Sequence, residues 1–247
     1  MKKILSIFAI AALCVVACSK DDDKNNNSNN NNENNGNENG GETEYVAPIK
    51  IDGEFADWAA LDASKLITAT CDPDASKTAL KVAKIYADKV AIYIYFEFDA
   101  DQISWEQDVE HVPFHLYVNS DNNDNTGGFN DEQWAGGSFD ALFEGFLTDG
   151  NQLVSYDPGV YAWNGEDGAN TWSWDVDTPL AEGGVCSGAG KGNAYEILLL
   201  RDLYPGELSD PFTMGIDIQQ GWSTVGYLPN ASAEADKVPA FTVASVK

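Results

Sequence analysis

Over residues 45–247 the sequence predicts an all-β fold, two antiparallel sheets packed as a β-sandwich, and three observations predict it. Apolar residues recur with period two in several runs, clusters of Gly, Asn, Asp and Pro separate those runs, and long amphipathic helical patterns are missing. Short strands joined by such turns bury their apolar faces by packing sheet on sheet. About 200 residues are enough for one substantial core.

The chain begins with Lys2 and Lys3, followed by an apolar stretch from Ile4 to Ala17. That stretch is shorter than the ~20 residues a membrane-spanning helix needs, so residues 1–17 read as a signal peptide. Val15-Val16-Ala17-Cys18 resembles the lipobox of bacterial lipoproteins, with Val15 where Leu is usual. The resemblance implies cleavage before Cys18 and a lipid anchor on it. Ser19-Lys20 and then Asp21-Asp22-Asp23 are similar to the acidic export signal of many Bacteroidetes lipoproteins, which implies the outer membrane and its outer face. A periplasmic lipoprotein with an acidic spacer is the alternative. Residues 18–44 are almost wholly Asn, Asp, Glu, Gly, Ser and Lys, a composition that cannot repay the entropy of ordering, so they form a disordered tether. Some 25 such residues reach roughly 25 to 30 Å.

Within the domain, Trp58 to Ala63 is expected to form at most a helical turn. Ala79 to Tyr86 and Val90 to Asp99 are expected to form a hairpin through Ala87-Asp88-Lys89. In the second of these, Val90, Ile92, Ile94, Phe96 and Phe98 share one face, while Ala91, Tyr93, Tyr95 and Glu97 share the other. Phe114, Leu116 and Val118 repeat the pattern, as do Phe212, Met214, Ile216 and Ile218. Further strands are expected at Ala141 to Thr148, Gln152 to Tyr156, Thr171 to Val176, Tyr195 to Leu200 and Phe241 to Val246, with a second helical turn near Arg201 to Tyr204.

Charge narrows the partners. The chain has 14 basic and 40 acidic residues; without Lys2 and Lys3 the mature protein has 12 basic residues and a net charge of −28. Nucleic acid and anionic lipid head groups are repelled by such a surface. Once Cys14 leaves with the signal peptide and Cys18 is acylated, Cys71 and Cys186 remain. An oxidising compartment permits one disulfide between them, which would stabilise by about 4 to 5 kcal/mol in the chain-entropy account. Two cysteines alone do not establish that they are neighbours in space. No Cys-x-x-Cys spacing points to zinc.

Ile51-Asp52-Gly53-Glu54-Phe55-Ala56-Asp57-Trp58 resembles the opening of carbohydrate-binding module family 9-like domains. The Leu80 to Asp99 hairpin, the strand and loop from Leu116 to Gly128, and the Tyr195 to Leu200 and Gly215 to Gln220 segments follow in the order of that family. The resemblance implies a β-sandwich related to DOMON domains and binding of sugars; fold transfers more securely than ligand. Read from the residues, Gly53 permits a tight turn and Trp58 is a core residue whose ring N–H pairs with a carbonyl or carboxylate. The DOMON relationship also raises a haem held by Met and His. Met214 lies in an apolar strand pattern that core packing explains, so no haem is expected at Met214, His111 or His115.

Asn119, Asp121, Asn123 and Asn125 place oxygen donors at alternate positions of one loop, and Asp140 aligns with an acidic residue that follows such loops in related domains. These five are the candidate ligands of a structural calcium ion. The loop departs from the EF-hand pattern, and an ordinary turn whose Asn and Asp side chains cap its own amides is the alternative. Sugar recognition requires flat apolar rings with polar groups at the rim. Trp163, Trp172 and Trp174 are the candidate carbohydrate-binding residues, with Asn164, Glu166, Asn170 and Asp175 near in sequence as hydrogen-bonding groups. Core tryptophans are the alternative for each. The sequence has no Gly-x-Ser-x-Gly, no His-Glu-x-x-His and no phosphate-binding Gly loop, and Arg201 is its only arginine. The expectation is a non-catalytic surface lipoprotein that binds a polysaccharide or oligosaccharide near outer-membrane uptake or degradation proteins. A protein-assembly or adhesion module is the alternative.

Overall fold

In a computed structural model, residues 45–104, 111–128, 133–148, 154–156, 159–163, 172–173, 181–182, 186–232 and 237–247 are described. The signal peptide, Cys18, the tether, Trp105 and Trp174 lie outside them. In chain order the strands are β1 (Ile67–Thr70), β2 (Leu80–Ala87), β3 (Ala91–Phe98), β4 (His111–Asn119), β5 (Trp134–Ala135), β6 (Ala141–Thr148), β7 (Val154–Tyr156) and β8 (Gly159–Ala162). They continue with β9 (Ala181–Glu182), β10 (Cys186–Lys191), β11 (Ala194–Leu200), β12 (Phe212–Gln220), β13 (Ser223–Leu228), β14 (Val238–Pro239) and β15 (Phe241–Val243). One short helix, α1 (Ala56–Ala60), and 3-10 turns at Ala63–Lys65, Ala100–Gln102 and Arg201–Leu203 complete the described elements. No described helix is long and apolar enough to cross a membrane.

Two antiparallel sheets form the expected sandwich. The first runs β1-β2-β3-β11-β10-β7 and the second β13-β12-β4-β6-β8-β9. On the side of β12 away from β4, β13 covers Ile216 to Gln220 and β15 covers Phe212 to Met214. Alternation decides what each strand buries. Ile92, Ile94, Phe96 and Phe98 of β3, with Ile197 and Leu199 of β11, meet Phe114, Leu116 and Val118 of β4 and Met214, Ile216 and Ile218 of β12 in the core between the sheets. Val90, expected on that face, precedes the strand and is 37% exposed.

Both outer faces are covered as well. The N-terminal segment closes the first sheet: Ile49 and Trp58 pack on Ala91, Tyr93 and Tyr95. Its anchor is Glu196, a wholly buried residue on β11. One Glu196 carboxylate oxygen accepts the backbone N–H groups of Asp52 (2.8 Å) and Gly53 (2.7 Å), and the other accepts the Trp58 indole N–H at 3.0 Å. Gly53 has φ +77°, which a Gly adopts at no steric cost. Trp58 is 3% exposed, so the opening motif is a structural clasp, in agreement with the core reading of Trp58. On the second sheet, β5 and β14 pair in parallel, and Trp134 and Phe139 pack with Tyr117, Leu142 and Tyr227.

The expected strand Thr171 to Val176 is reduced, within the described residues, to an isolated bridge between Trp172 and Trp163; residues 174–180 lie outside them. The sequence reading did not anticipate β1, β5, β8, β9, β10, β13 or β14. Gly-rich Cys186–Lys191 has no apolar alternation, and it is strand because its neighbours β11 and β7 pair with it on both sides.

The disulfide expectation is corrected. Cys71 is a free thiol whose sulfur accepts the Asn230 amide (3.2 Å) and approaches the Asp72 carbonyl (3.4 Å). Its backbone continues β1 by bonding to Lys81, whereas Cys186 lies on β10. β1 and β10 are four strand spacings apart in one sheet, roughly 19 Å at about 4.8 Å per spacing, too far for a bridge.

Candidate functional site

The outer face of the second sheet concentrates the domain's buried polar chemistry. Register places Asp217 of β12 beside His115 of β4, and His115 beside Glu144 of β6. His115 is 4% exposed and Asp217 wholly buried. The imidazole Nδ1 is 2.9 Å from Asp217 Oδ1 and its Nε2 is 3.1 Å from Glu144 Oε2, so a protonated ring donates to both carboxylates. Burial pulls the His115 pKa down, but the two carboxylates outweigh it and raise the pKa to about 9. Asp217 Oδ2 accepts the Thr224 hydroxyl at 2.8 Å and the Gln219 amide at 3.0 Å, and Gln133 donates to Thr224 at 3.1 Å. The sequence reading puts His115 away from the core, and it does lie on the outer face. What alternation alone does not disclose is that this face is itself covered.

At one end of this face the structure gathers several expected site residues. The Asn119 Oδ1 accepts the Asn123 amide (3.2 Å), Asp121 Oδ1 the same amide (3.0 Å) and Asn123 Oδ1 the Asn125 amide (3.0 Å). Thr126 donates to Asp121 Oδ2 at 2.6 Å, and both Asp140 oxygens face the Ser120 amide at 3.0 and 3.1 Å. These are the self-capping bonds of an Asx-rich turn. Burial lifts the Asp140 carboxyl above the usual carboxylate range; Ser120 opposes the shift and the charge of Asp121 adds to it. Among the described residues no three His, Cys, Asp or Glu side chains are arranged to hold a metal ion, and this loop brings two carboxylates and amide oxygens.

Trp163 belongs to the same corner. Its backbone N–H donates to the Asp140 carbonyl at 2.9 Å, and its indole lies so close to Gly128 that a Cβ there would stand 2.5 Å from Nε1. Trp172 meets Trp163 edge to face, with centroids 5.2 Å apart, and lies 6.3 Å from Tyr117. Trp172 is 4% exposed, so it is part of the aromatic layer and offers no open face to a sugar. Trp163 is half-buried against that layer, as is Tyr161. Trp174, with Asn164, Glu166, Asn170 and Asp175, lies outside the described residues.

At the other end of the face stands an aromatic pair that the sequence reading did not select. Phe146 of β6 is 40% exposed and Trp222, in the β12–β13 turn, 63% exposed; their rings meet edge to face with centroids 6.4 Å apart. Gly221 and Trp222, at φ +56° and +61°, form the two-residue connection between Gln220 and Ser223. Two successive left-handed residues define a type I′ hairpin. The Gly-Trp dipeptide between two alternating runs was the available signal for both the turn and β13.

The fold defines an all-β sandwich with a covered, aromatic-rich outer face on its second sheet. The chain matches no family model and no curated protein sequence.

Proposed function

We propose that this protein is an outer-membrane surface lipoprotein that binds a polysaccharide or oligosaccharide without catalysing its conversion. The observation that carries the reading is the outer face of the second sheet, where half-buried Trp163 and the exposed rings of Phe146 and Trp222 border a buried aromatic layer on strands that contain no Lys or Arg. Aromatic rings bordered by amides and hydroxyls suit the C–H faces and hydroxyl groups of pyranoses. The lipobox-like segment, the tether and the resemblance of residues 51–58 to carbohydrate-binding modules support the same reading. Acylated Cys18 would hold the domain at the membrane, and the tether would lift it towards a glycan and the uptake or degradation proteins that process it.

Calcium belongs to this proposal as a structural ion. Asn119, Asp121, Asn123, Asn125 and Asp140 would hold it, and the chemistry of the set fits: hard oxygen donors, with Asp140 raised by burial and by the like charge of Asp121. The ion would relieve that repulsion and stiffen the loop against Trp163.

The test is retention of the purified full chain on a panel of immobilised polysaccharides and oligosaccharides, in calcium and in chelator. Retention of folded protein supports the proposal, and its absence across the panel removes it. Weaker binding and a lower Tm in chelator support the calcium site. The second reading, a protein-assembly module, draws on the edge strand β1, which among the described residues pairs with β2 alone and exposes Thr68 and Thr70. A stoichiometric partner recovered from solubilised outer membranes would favour it.

A further inference from the structure

The β12–β13 turn holds a residue that folding does not call for. A two-residue hairpin of this kind favours Gly, Asn or Asp, the residues that tolerate positive φ. A bulky residue in the left-handed region is a conformational outlier and carries an energetic cost. Trp222 occupies that position at φ +61° and leaves 63% of its surface in solvent, so it recovers little by burial. The side chain it meets, Phe146, is itself 40% exposed on β6, next to Pro113 of β4. Two large exposed rings therefore meet at the end of the outer face, and Thr224 and Gln219, next along the hairpin, bond to Asp217. Exposed aromatic pairs at a strained turn are explained by what they contact.

Charge selects the occupant. β4, β6, β12 and β13 contain no Lys or Arg, and the only arginine, Arg201, bonds to the Asp88 carbonyl and Ser245 elsewhere in the fold. The nearest charged row is Asp217–His115–Glu144, in which two carboxylates enclose one imidazole. An anionic sugar finds no Lys or Arg on these strands, their one imidazolium is already enclosed by two carboxylates, and the chain it meets has a net charge of −26. We infer that Trp222 and Phe146 form the ring-stacking contact for an uncharged glycan, one without uronate or sulfate groups. The inference rests on the glycan-binding reading above and moves its centre from the Trp163–Trp172 corner to the hairpin tip.

The experiment is affinity electrophoresis of the full chain through gels containing dextran, galactomannan or xyloglucan, and through gels containing polygalacturonate or alginate. Three variants run beside it: Trp222→Gly, Phe146→Ala and Trp163→Ala. Trp222→Gly suits the backbone of the turn, so its Tm is expected to stay level or rise, which separates lost contact from lost folding. The expected result is retardation by at least one uncharged polysaccharide, weakened at least tenfold by Trp222→Gly and by Phe146→Ala. Retardation that survives both substitutions, or is lost only with Trp163→Ala, overturns this inference and leaves glycan binding standing. Retardation confined to the uronate gels overturns the uncharged class. No retardation of folded protein in any gel overturns both the inference and the reading beneath it.

Discussion

Two single residues illustrate how buried charge is managed in this domain. Glu196 is wholly buried, no cation stands at its carboxylate among the described residues, and it is held by three N–H donors, from Asp52, Gly53 and Trp58. Its pKa is raised because burial outweighs those three bonds. Glu196→Ala would orphan all three donors at a cost of about 1 to 3 kcal/mol each, although they share one site and the losses overlap. We expect chemical denaturation to give a loss of roughly 3 to 5 kcal/mol for Glu196→Ala, and a smaller one for Glu196→Gln, which keeps a carbonyl acceptor. Equal losses would refute the hydrogen-bond account. His115 presents the opposite arrangement, an imidazole between Asp217 and Glu144 with the Tyr117 hydroxyl 3.5 Å from its Nδ1. Its folded pKa of about 9 lies above the 6.5 ordinary for a histidine, so the native state binds the extra proton between those values. The stability this contributes is complete below about pH 6.5 and is lost as pH rises through 9, a fall of up to about 3 kcal/mol. Denaturation midpoints measured from pH 6.5 to 9.5, with NMR titration of the His115 ring, check the sign. A flat profile with a ring titrating near 6.5 would contradict it.

At the scale of elements, the outer layer of the second sheet depends on close approach. Gly215 on β12 leaves room for Trp134, whose ring atoms would stand 2.6 Å from a Cβ placed there. Trp134 is wholly buried and its indole N–H donates to the Pro229 carbonyl at 3.1 Å, so the ring cannot withdraw freely. Gly215→Ala is expected to destabilise by about 1 to 3 kcal/mol through overpacking, with a red shift in tryptophan emission as the layer lifts. Unchanged stability and emission would show that the layer tolerates the methyl group. Element by element, legibility in the sequence follows the alternation. β3, β4, β6, β11 and β12 were readable because Ile92, Phe114, Phe143, Ile197 and Ile216 each sit in a period-two run and all meet in one core. β10 was not, because glycines replace the apolar residues and pairing with its neighbours makes the strand. The candidate site was legible only in part. The loop from Asn119 to Asn125 announced itself by composition, whereas Glu144, Asp217 and Phe146 are single residues on strands, and only lateral register brings them together.

For the whole molecule, stability comes from layers rather than from a covalent staple. With Cys71 free and Cys186 four strands away, reducing agent is expected to leave the Tm of the folded domain unchanged. A fall of several degrees on reduction would restore the disulfide. The sequence by itself determined the sandwich and the inward faces of its main strands, because alternation is a local property and a slip of one residue would turn a whole apolar face to solvent. It also determined the acidic character of the chain and the opening segment, with Trp58 as a core residue. Tertiary structure decided what that segment grips, since Glu196 lies 143 residues beyond Gly53 and nothing local links them. It decided that Trp172 is buried while Trp222 is exposed, although both are tryptophans in polar surroundings. It decided, too, that His115 is enclosed by two carboxylates. Each of these outcomes depends on the order of strands within a sheet and on what covers its outer face, which are contacts between distant parts of the chain and leave no period in the sequence.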